Sequence, residues 1–387
     1  MKIAVICSDF KRSNINKLPW KYVYKISMCL DNDNQIVVIT DTPENDITEL
    51  KVLNVKKLFY PLRGETKELL NLLNQEQPDK CIMLLGLTSF LRKEFRIKQP
   101  TLGIFTSPIY NLKELIGNIG IFNLIKYRKY TFIHIVNSLI PDYLVKKYSG
   151  SFEKIVFLST YSCQKLVNKG FPEDKSVTIP VGVDDHFKED LNIEKIKKFQ
   201  RNINPDNIPI IMYFTSPLTL RGTDTLIRAF GHVRKEKKSK LILLSRIDHP
   251  ELKKEEKILR NLAIKNNTSD SVEIISDYLS QDVLKKYLLV ADLICIPFKI
   301  VISDIPVSIL EAMSLGKPVI STDVACLPEL LPNGILVKAN DPKILADSLS
   351  RLINDKKLSN DLGIRNKISM KTYPSWDQIA SRFKKII

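Results

Sequence analysis

Apolar residues along this chain gather into short runs, separated by longer segments in which they recur at helical spacing. Residues 2–7 (KIAVIC) form a β-rich run, a polar loop follows, positions 20–30 carry a helical pattern, and a second run fills 35–40. The alternation continues through runs at 56–60, 81–85, 102–105, 154–158 and 177–179. After a charged stretch at 188–207 it resumes with 208–214, 240–245, 272–275, 293–297 and 318–321. Strands that alternate with helices predict parallel sheets with crossover helices, so the fold class is α/β, and ligands belong beyond the C-terminal strand ends. The break at 188–207 divides the pattern into two doubly wound halves.

That geometry selects the candidate chemistry. The loop 8–19 follows the first strand and contains no glycine, so Ser8, Lys11 and Arg12 are the groups offered to an anionic ligand there. Thr106 and Ser107 follow the run 102–105 at the same edge. Asp31-Asn32-Asp33 joins a helix to the next strand at the opposite edge, where it reads as turn chemistry rather than a metal site. In the second half, Ser216 and Arg221 follow 208–214, Ser245 and Arg246 follow 240–245, and Asp277, Tyr278 and Leu279 follow 272–275. Residues 303–320, SDIPVSILEAMSLGKPVI, predict a short helix: Ser303 or Asp304 as N-cap, Pro306 in the first turn, Gly316 and Pro318 at the exit. Val307, Leu310 and Leu315 can face a core. The first-turn N–H groups, with Ser308 among them, form an anion site, and Glu311 one turn in can accept hydrogen bonds from hydroxyls of the same ligand. A phosphate carried on a sugar or ribose fits both.

Length and charge narrow the classes. A chain of 387 residues exceeds one hydrophobic core, and 44% apolar with 26% charged residues describes a folded globular protein. A net charge of +16 implies an acidic partner, yet no finger, basic-aromatic sheet or helix-turn-helix pattern supports nucleic acid. The six cysteines lie scattered, most within apolar runs, as buried thiols of a reducing compartment do. No run is long enough to cross a bilayer and the N-terminus does not read as a signal peptide, so the expected location is cytoplasmic. Residues 121–148 interleave Lys126, Arg128, Lys129, Lys146 and Lys147 with Phe122, Tyr127, Tyr130 and Phe132, which suits either an anionic membrane surface or a helical pair packed on its own domain. His134 in that segment is assigned no role.

Three stretches resemble one family. Glu311-Ala312-Met313, Gly316 and Pro318-Val319 match the motif of retaining glycosyltransferases of family 4, whose GT-B fold sets two Rossmann-like domains across a cleft. Residues 157–187 follow the family's serine-started helix, Gly-x-Pro turn and Val-x-Ile-Pro-Asn-Gly-Val-Asp pattern, with Val181 in the asparagine's place. The Asp-Pro-x-x-Leu-Ala helix begins at Asp341, and SWDQIASRFKKII resembles the closing helix that crosses back to the first domain. The resemblance implies a first domain at 1–187 with 373–387 returning to it, and a nucleotide-sugar domain at 188–372. It implies transfer from a UDP- or GDP-linked sugar to a glycan, small-molecule or lipid-linked acceptor, without bound metal or resident cofactor. Arg221 takes the place of the family's diphosphate lysine and Ser216 that of its arginine; Ser303, with Asp304 beside it, takes that of the first motif glutamate. Thr106 and Ser107 stand where many members have histidine, and the glycine-rich loop is missing. These departures keep open a module that binds a nucleotide-sugar or glycan without transfer, and a sugar-nucleotide epimerase or phosphorylase on the same fold.

Overall fold

The computed structural model describes residues 1–387 apart from 44–45, 61, 190, 248–249 and 278. The first lobe is built on a seven-stranded sheet, ordered in space Lys51–Asn54, Gln35–Thr40, Lys2–Ile6, Lys80–Leu85, Thr101–Phe105, Lys154–Phe157 and Ser176–Thr178. The second lobe has a six-stranded sheet, ordered Val272–Ile275, Lys240–Leu244, Ile210–Tyr213, Leu293–Cys295, Val319–Thr322 and Ile335–Val337. Every pairing within both sheets is parallel, with Ile6 opposite Ile39 and Met212 opposite Ile242. In each sheet the chain's first strand is central, and the order reverses beside it at Lys80–Leu85 or Leu293–Cys295. Loops leaving those strands diverge and open a crevice, so each lobe presents its ligand edge at this point.

The strand residues explain this layering. In Lys2–Ile6, Ile3 and Val5 pack with Tyr22, Val23 and Ile26 of the helix Trp20–Asp31, while Ala4 and Ile6 pack with Leu69 and Leu73 on the other face. The period of two thus feeds two apolar layers, and a parallel sheet covered on both faces needs continuous apolar runs. Ile210, Ile211, Met212 and Tyr213 are all wholly buried. The predicted strand at 56–60 is displaced: Lys51–Asn54 forms the edge of the sheet, and only Phe59–Tyr60 is extended, in a small antiparallel pair with Gly64–Glu65. An edge strand has one partner and one covered side, so KVLN, with its exposed Lys51 and Asn54, lacks the apolar run that marks the central strands.

The lobes are tied at the far end of the chain. The helix Trp376–Lys384, capped by Ser375 and Gln378, lies against the first-lobe helix Trp20–Asp31, with the Tyr22 ring 6.0 Å from Trp376 and 6.2 Å from Phe383. Gly182 makes the close approach possible, because a Cβ there would fall 2.7 Å from the Trp376 ring. The helix Ile193–Ile203, inside the stretch expected as linker, packs on the second lobe through Phe199 and Tyr287 at 4.9 Å.

Candidate active site

A cleft of about 990 Å³ lies between the ligand edges of the two lobes. Its second-lobe wall comes from both loops of the switch point: Thr215 and Arg221 after Ile210–Tyr213, then Phe298, Ser303 and Ile305 after Leu293–Cys295. A glycine presses these loops together. Gly222 has φ +80°, and a Cβ on it would fall 1.7 Å from the Pro297 carbonyl oxygen, so no other residue fits there. Arg221, next to it, is thereby set in the cleft wall with its guanidinium 5.9 Å from the Phe298 ring.

The helix Val307–Ser314 begins at the same wall. Pro306 holds the N-cap position with extended backbone, and no side chain caps the end, so the capping expected of Ser303 or Asp304 is not what the chain does. Pro306, Val307 and Ser308 line the cleft, which leaves the positive end of the helix turned toward it. Val307 lines the cleft and, like Leu315, packs at the core's margin, while Leu310 is wholly buried. Gly316, at φ +69°, ends the helix as expected. Glu311 lies one turn in and also lines the cleft. Burial pushes its carboxyl up to about 7, against the pull of Lys21 and Arg246. Ser245 closes the far end, wholly buried, with a hydroxyl that makes no hydrogen bond among the described residues. Asp277 and Leu279 border the same end, and Tyr278 lies outside the described residues.

Residues 209–355 match the family model for glycosyl transferases group 1. The second lobe is a group 1 glycosyltransferase domain. Over 347 residues, 86% of this chain and 85% of the relative, it is 24% identical to N,N'-diacetylbacillosaminyl-diphospho-undecaprenol alpha-1,3-N-acetylgalactosaminyltransferase of Campylobacter jejuni. A glycosyltransferase from Rickettsia africae superposes with a TM-score of 0.73 at 16% identity, covering 100% of this chain and 97% of that one. Anabaena Alr3699/HepE, solved in complex with UDP, gives a TM-score of 0.72 at 13% identity, covering 100% and 99%. The fold is GT-B, and the group 1 domain contributes Arg221, Glu311 and the helix start to its cleft.

Other expected positions fall elsewhere. Asp304 is wholly buried and outside the cleft lining: its carboxylate accepts hydrogen bonds from Ser159 Oγ at 2.9 and 2.8 Å and from Ser162 Oγ at 2.6 Å. Its backbone N–H donates to the Thr106 carbonyl at 2.8 Å. Burial pushes the Asp304 carboxyl up to about 6, and the two serines hold it lower than burial alone would. The chain thus spends Asp304 on joining its lobes, because it turns inward immediately after Ser303. Ser216 is not part of the lining, and its carbonyl accepts from the Tyr213 hydroxyl at 2.6 Å while the neighbouring Thr215 faces the cleft.

On the first-lobe wall Lys11 lines the cleft beside Asp9, 2.7 Å away. Arg12 also lines it, but its guanidinium is held by both Glu49 oxygens at 2.7 Å, which keeps the Glu49 carboxyl down at about 2. Arg12 is therefore committed to the segment after the second strand rather than to an anion. Ser8 lies outside the lining, its carbonyl accepting from Trp20 Nε1 at 2.8 Å, and Thr106 and Ser107 are outside it as well. His134 is a packing residue, buried 5.5 Å from the Tyr110 ring and pushed down to about 4 by that burial. Lys21, which no motif in the sequence marks, lines the cleft from the first-lobe helix and pairs with Asp184 at 2.5 Å. Asp184 also accepts from Trp376 Nε1 at 3.1 Å, so the Gly182-Val183-Asp184 turn ties the returning helix Trp376–Lys384 to Trp20–Asp31.

Proposed function

We propose that this protein is a retaining glycosyltransferase that moves a sugar from a UDP- or GDP-linked donor to a glycan or lipid-linked acceptor. The observation that carries the reading is that Arg221 and the uncapped start of Val307–Ser314 face one wall of the cleft, with Glu311 one turn beyond. A nucleoside diphosphate leaving group gains negative charge as the bond to the anomeric carbon breaks. A guanidinium and a helix N-terminus held in place beforehand stabilise that charge without reorganising. In this reading the protein itself supplies the positive charge that departure requires. Glu311 accepts the ribose hydroxyls, Ser303 and Ser308 border the sugar, and Ser245 with Asp277 borders the base. The acceptor hydroxyl enters from the side of Lys11.

Two features support a lipid-linked acceptor. One is the Campylobacter relative, whose name specifies a diphospho-undecaprenol substrate. The other is a first-lobe face on which Phe122 is 86%, Ile125 67%, Phe132 65% and Leu139 65% exposed, among Lys126, Arg128, Lys146 and Lys147. Apolar side chains at that exposure beside lysines suit the surface of an anionic membrane. No described helix is long and apolar enough to cross a bilayer, so the contact is peripheral in this reading.

A donor-panel thermal-shift screen tests the proposal. The right nucleotide-sugar at 100 times its dissociation constant stabilises the fold by about 2.7 kcal/mol, and slow release of nucleoside diphosphate accompanies it. Binding without release supports the non-transferring module instead, and interconversion of the sugar without release supports an epimerase.

A further inference from the structure

One carboxylate outside the cleft is shared by the two lobes. The helix Pro250–Lys265 of the second lobe carries Glu251 and Glu255 four residues apart, hence on one face. The first lobe meets them from the junction of the helices Ile121–Lys126 and Arg128–Ser138. There Lys129 Nζ and the Tyr130 hydroxyl donate to Glu251 Oε2 at 2.6 and 3.3 Å, and the Tyr127 hydroxyl donates to Glu255 Oε2 at 3.3 Å. Tyr127 is only 5% exposed, so its ring is committed to this seam.

The same Glu255 oxygen serves the second lobe. It accepts from Thr219 Oγ1 at 2.7 Å and from the Thr219 backbone N–H at 3.2 Å. Thr219 is buried and opens the tight turn Thr219–Arg221, whose last residue is the guanidinium of the cleft wall. The middle of the turn is fixed separately, by the Lys299 and Ile300 N–H groups, which donate to the Leu220 carbonyl at 3.1 and 3.2 Å. The turn therefore hangs between the loop after Leu293–Cys295 and Glu255. Hydrogen bonds to a carboxylate are roughly twice as strong as neutral ones, so Glu255 is the firmer attachment at the turn's first residue. A guanidinium stabilises a diphosphate to the extent that it is held in place before the charge develops.

We infer that Glu255 is a positioning residue for the donor diphosphate: by holding Thr219 it sets Arg221, and through Tyr127 it makes that setting depend on the first lobe being docked at this seam. This role rests on the donor reading of the cleft. Glu255 lies outside the cleft lining, so it acts through the turn and touches no ligand there.

Calorimetric titration of the full chain with UDP and GDP tests this. Glu255→Ala should weaken whichever diphosphate binds at least about fivefold, and Glu255→Gln, which keeps an acceptor oxygen for Thr219, should lose less. Tyr127→Phe, which removes one hydroxyl and keeps the buried ring, should cost about twofold or more. A residue that only stabilised the fold would lower affinity whether or not Arg221 is present. In an Arg221→Ala background the Glu255→Ala loss should instead shrink below about twofold. Unchanged affinity in Glu255→Ala overturns the inference, and so does a loss that persists in full without Arg221. Unchanged affinity in Tyr127→Phe overturns the dependence on the first lobe. If the unaltered protein binds neither diphosphate, the donor reading falls and this role with it, whereas binding that ignores Glu255 removes this role alone.

Discussion

Arg221 owes its place to the glycine after it, since only Gly222 lets the loop close on the Pro297 carbonyl. Replacing Arg221 by alanine should lower transfer at least about tenfold, roughly 1.4 kcal/mol in the barrier, while leaving the unfolding midpoint near that of the unaltered protein; unchanged turnover would remove the residue from the site. Glu311 carries a pH signature. Its folded value of about 7 lies above the ordinary carboxylate range, so its stabilising contribution is complete below about 4.3 and is lost as pH rises through about 7. The carboxylate formed there is a better acceptor for ribose hydroxyls than the acid. Nucleoside diphosphate affinity should therefore rise between pH 6 and 8, and Glu311→Gln should flatten the rise in a calorimetric series; a parallel rise in both proteins assigns it to the ligand's phosphate. Arg221 and Glu311 were legible in the sequence because each sits at a fixed step from a strand end or a helix start. The direction of Asp304 was not, since residue type and spacing do not tell whether a side chain beside the cleft turns into it or into the seam behind.

At the level of elements, the second lobe completes the cap of a first-lobe helix, where Ser159 Oγ already accepts from the Ser162 N–H. Thr160–Asn168 starts at Ser159, and its first N–H groups, from Thr160 and Tyr161, donate to Glu329 at 3.0 and 3.1 Å, while Asp304 binds Ser159 and Ser162. Tyr110 adds a further tie, donating its hydroxyl hydrogen to the Val301 carbonyl and accepting from the Val301 N–H. The loop after Leu293–Cys295 is thus hung on the first lobe at Val301 and Asp304 by residues far apart in sequence. Asp304→Ala leaves two buried serine hydroxyls without that partner and should cost about 2–3 kcal/mol, seen as a lower unfolding midpoint; Asp304→Asn, which keeps an acceptor, should cost less. Equal midpoints for all three proteins would show the seam to be slack. Strands such as Ile210–Tyr213 were plain in the sequence because burial on both faces requires unbroken apolar runs. The edge strand Lys51–Asn54 was not, because one covered side leaves room for polar residues, and Ile335–Val337 was not, because three apolar residues make too short a run to stand out.

For the molecule as a whole, charge and exposed apolar surface concentrate the predictions on two faces. On the first, Phe122→Ser with Phe132→Ser should weaken co-sedimentation with phosphatidylglycerol vesicles at least about tenfold, since each phenylalanine stands to bury apolar area worth about 1.5–3 kcal/mol; undiminished binding would mean that this face is not the one that meets the membrane. The second face is the cleft, and the account depends on it most. The direct test is nucleoside diphosphate release from a panel of UDP- and GDP-linked sugars, followed over hours in the unaltered protein and in Arg221→Ala. The account predicts release from at least one donor and its fall by about tenfold or more in the variant. Release that the variant leaves unchanged, or tight donor binding with no release from any sugar, would contradict it.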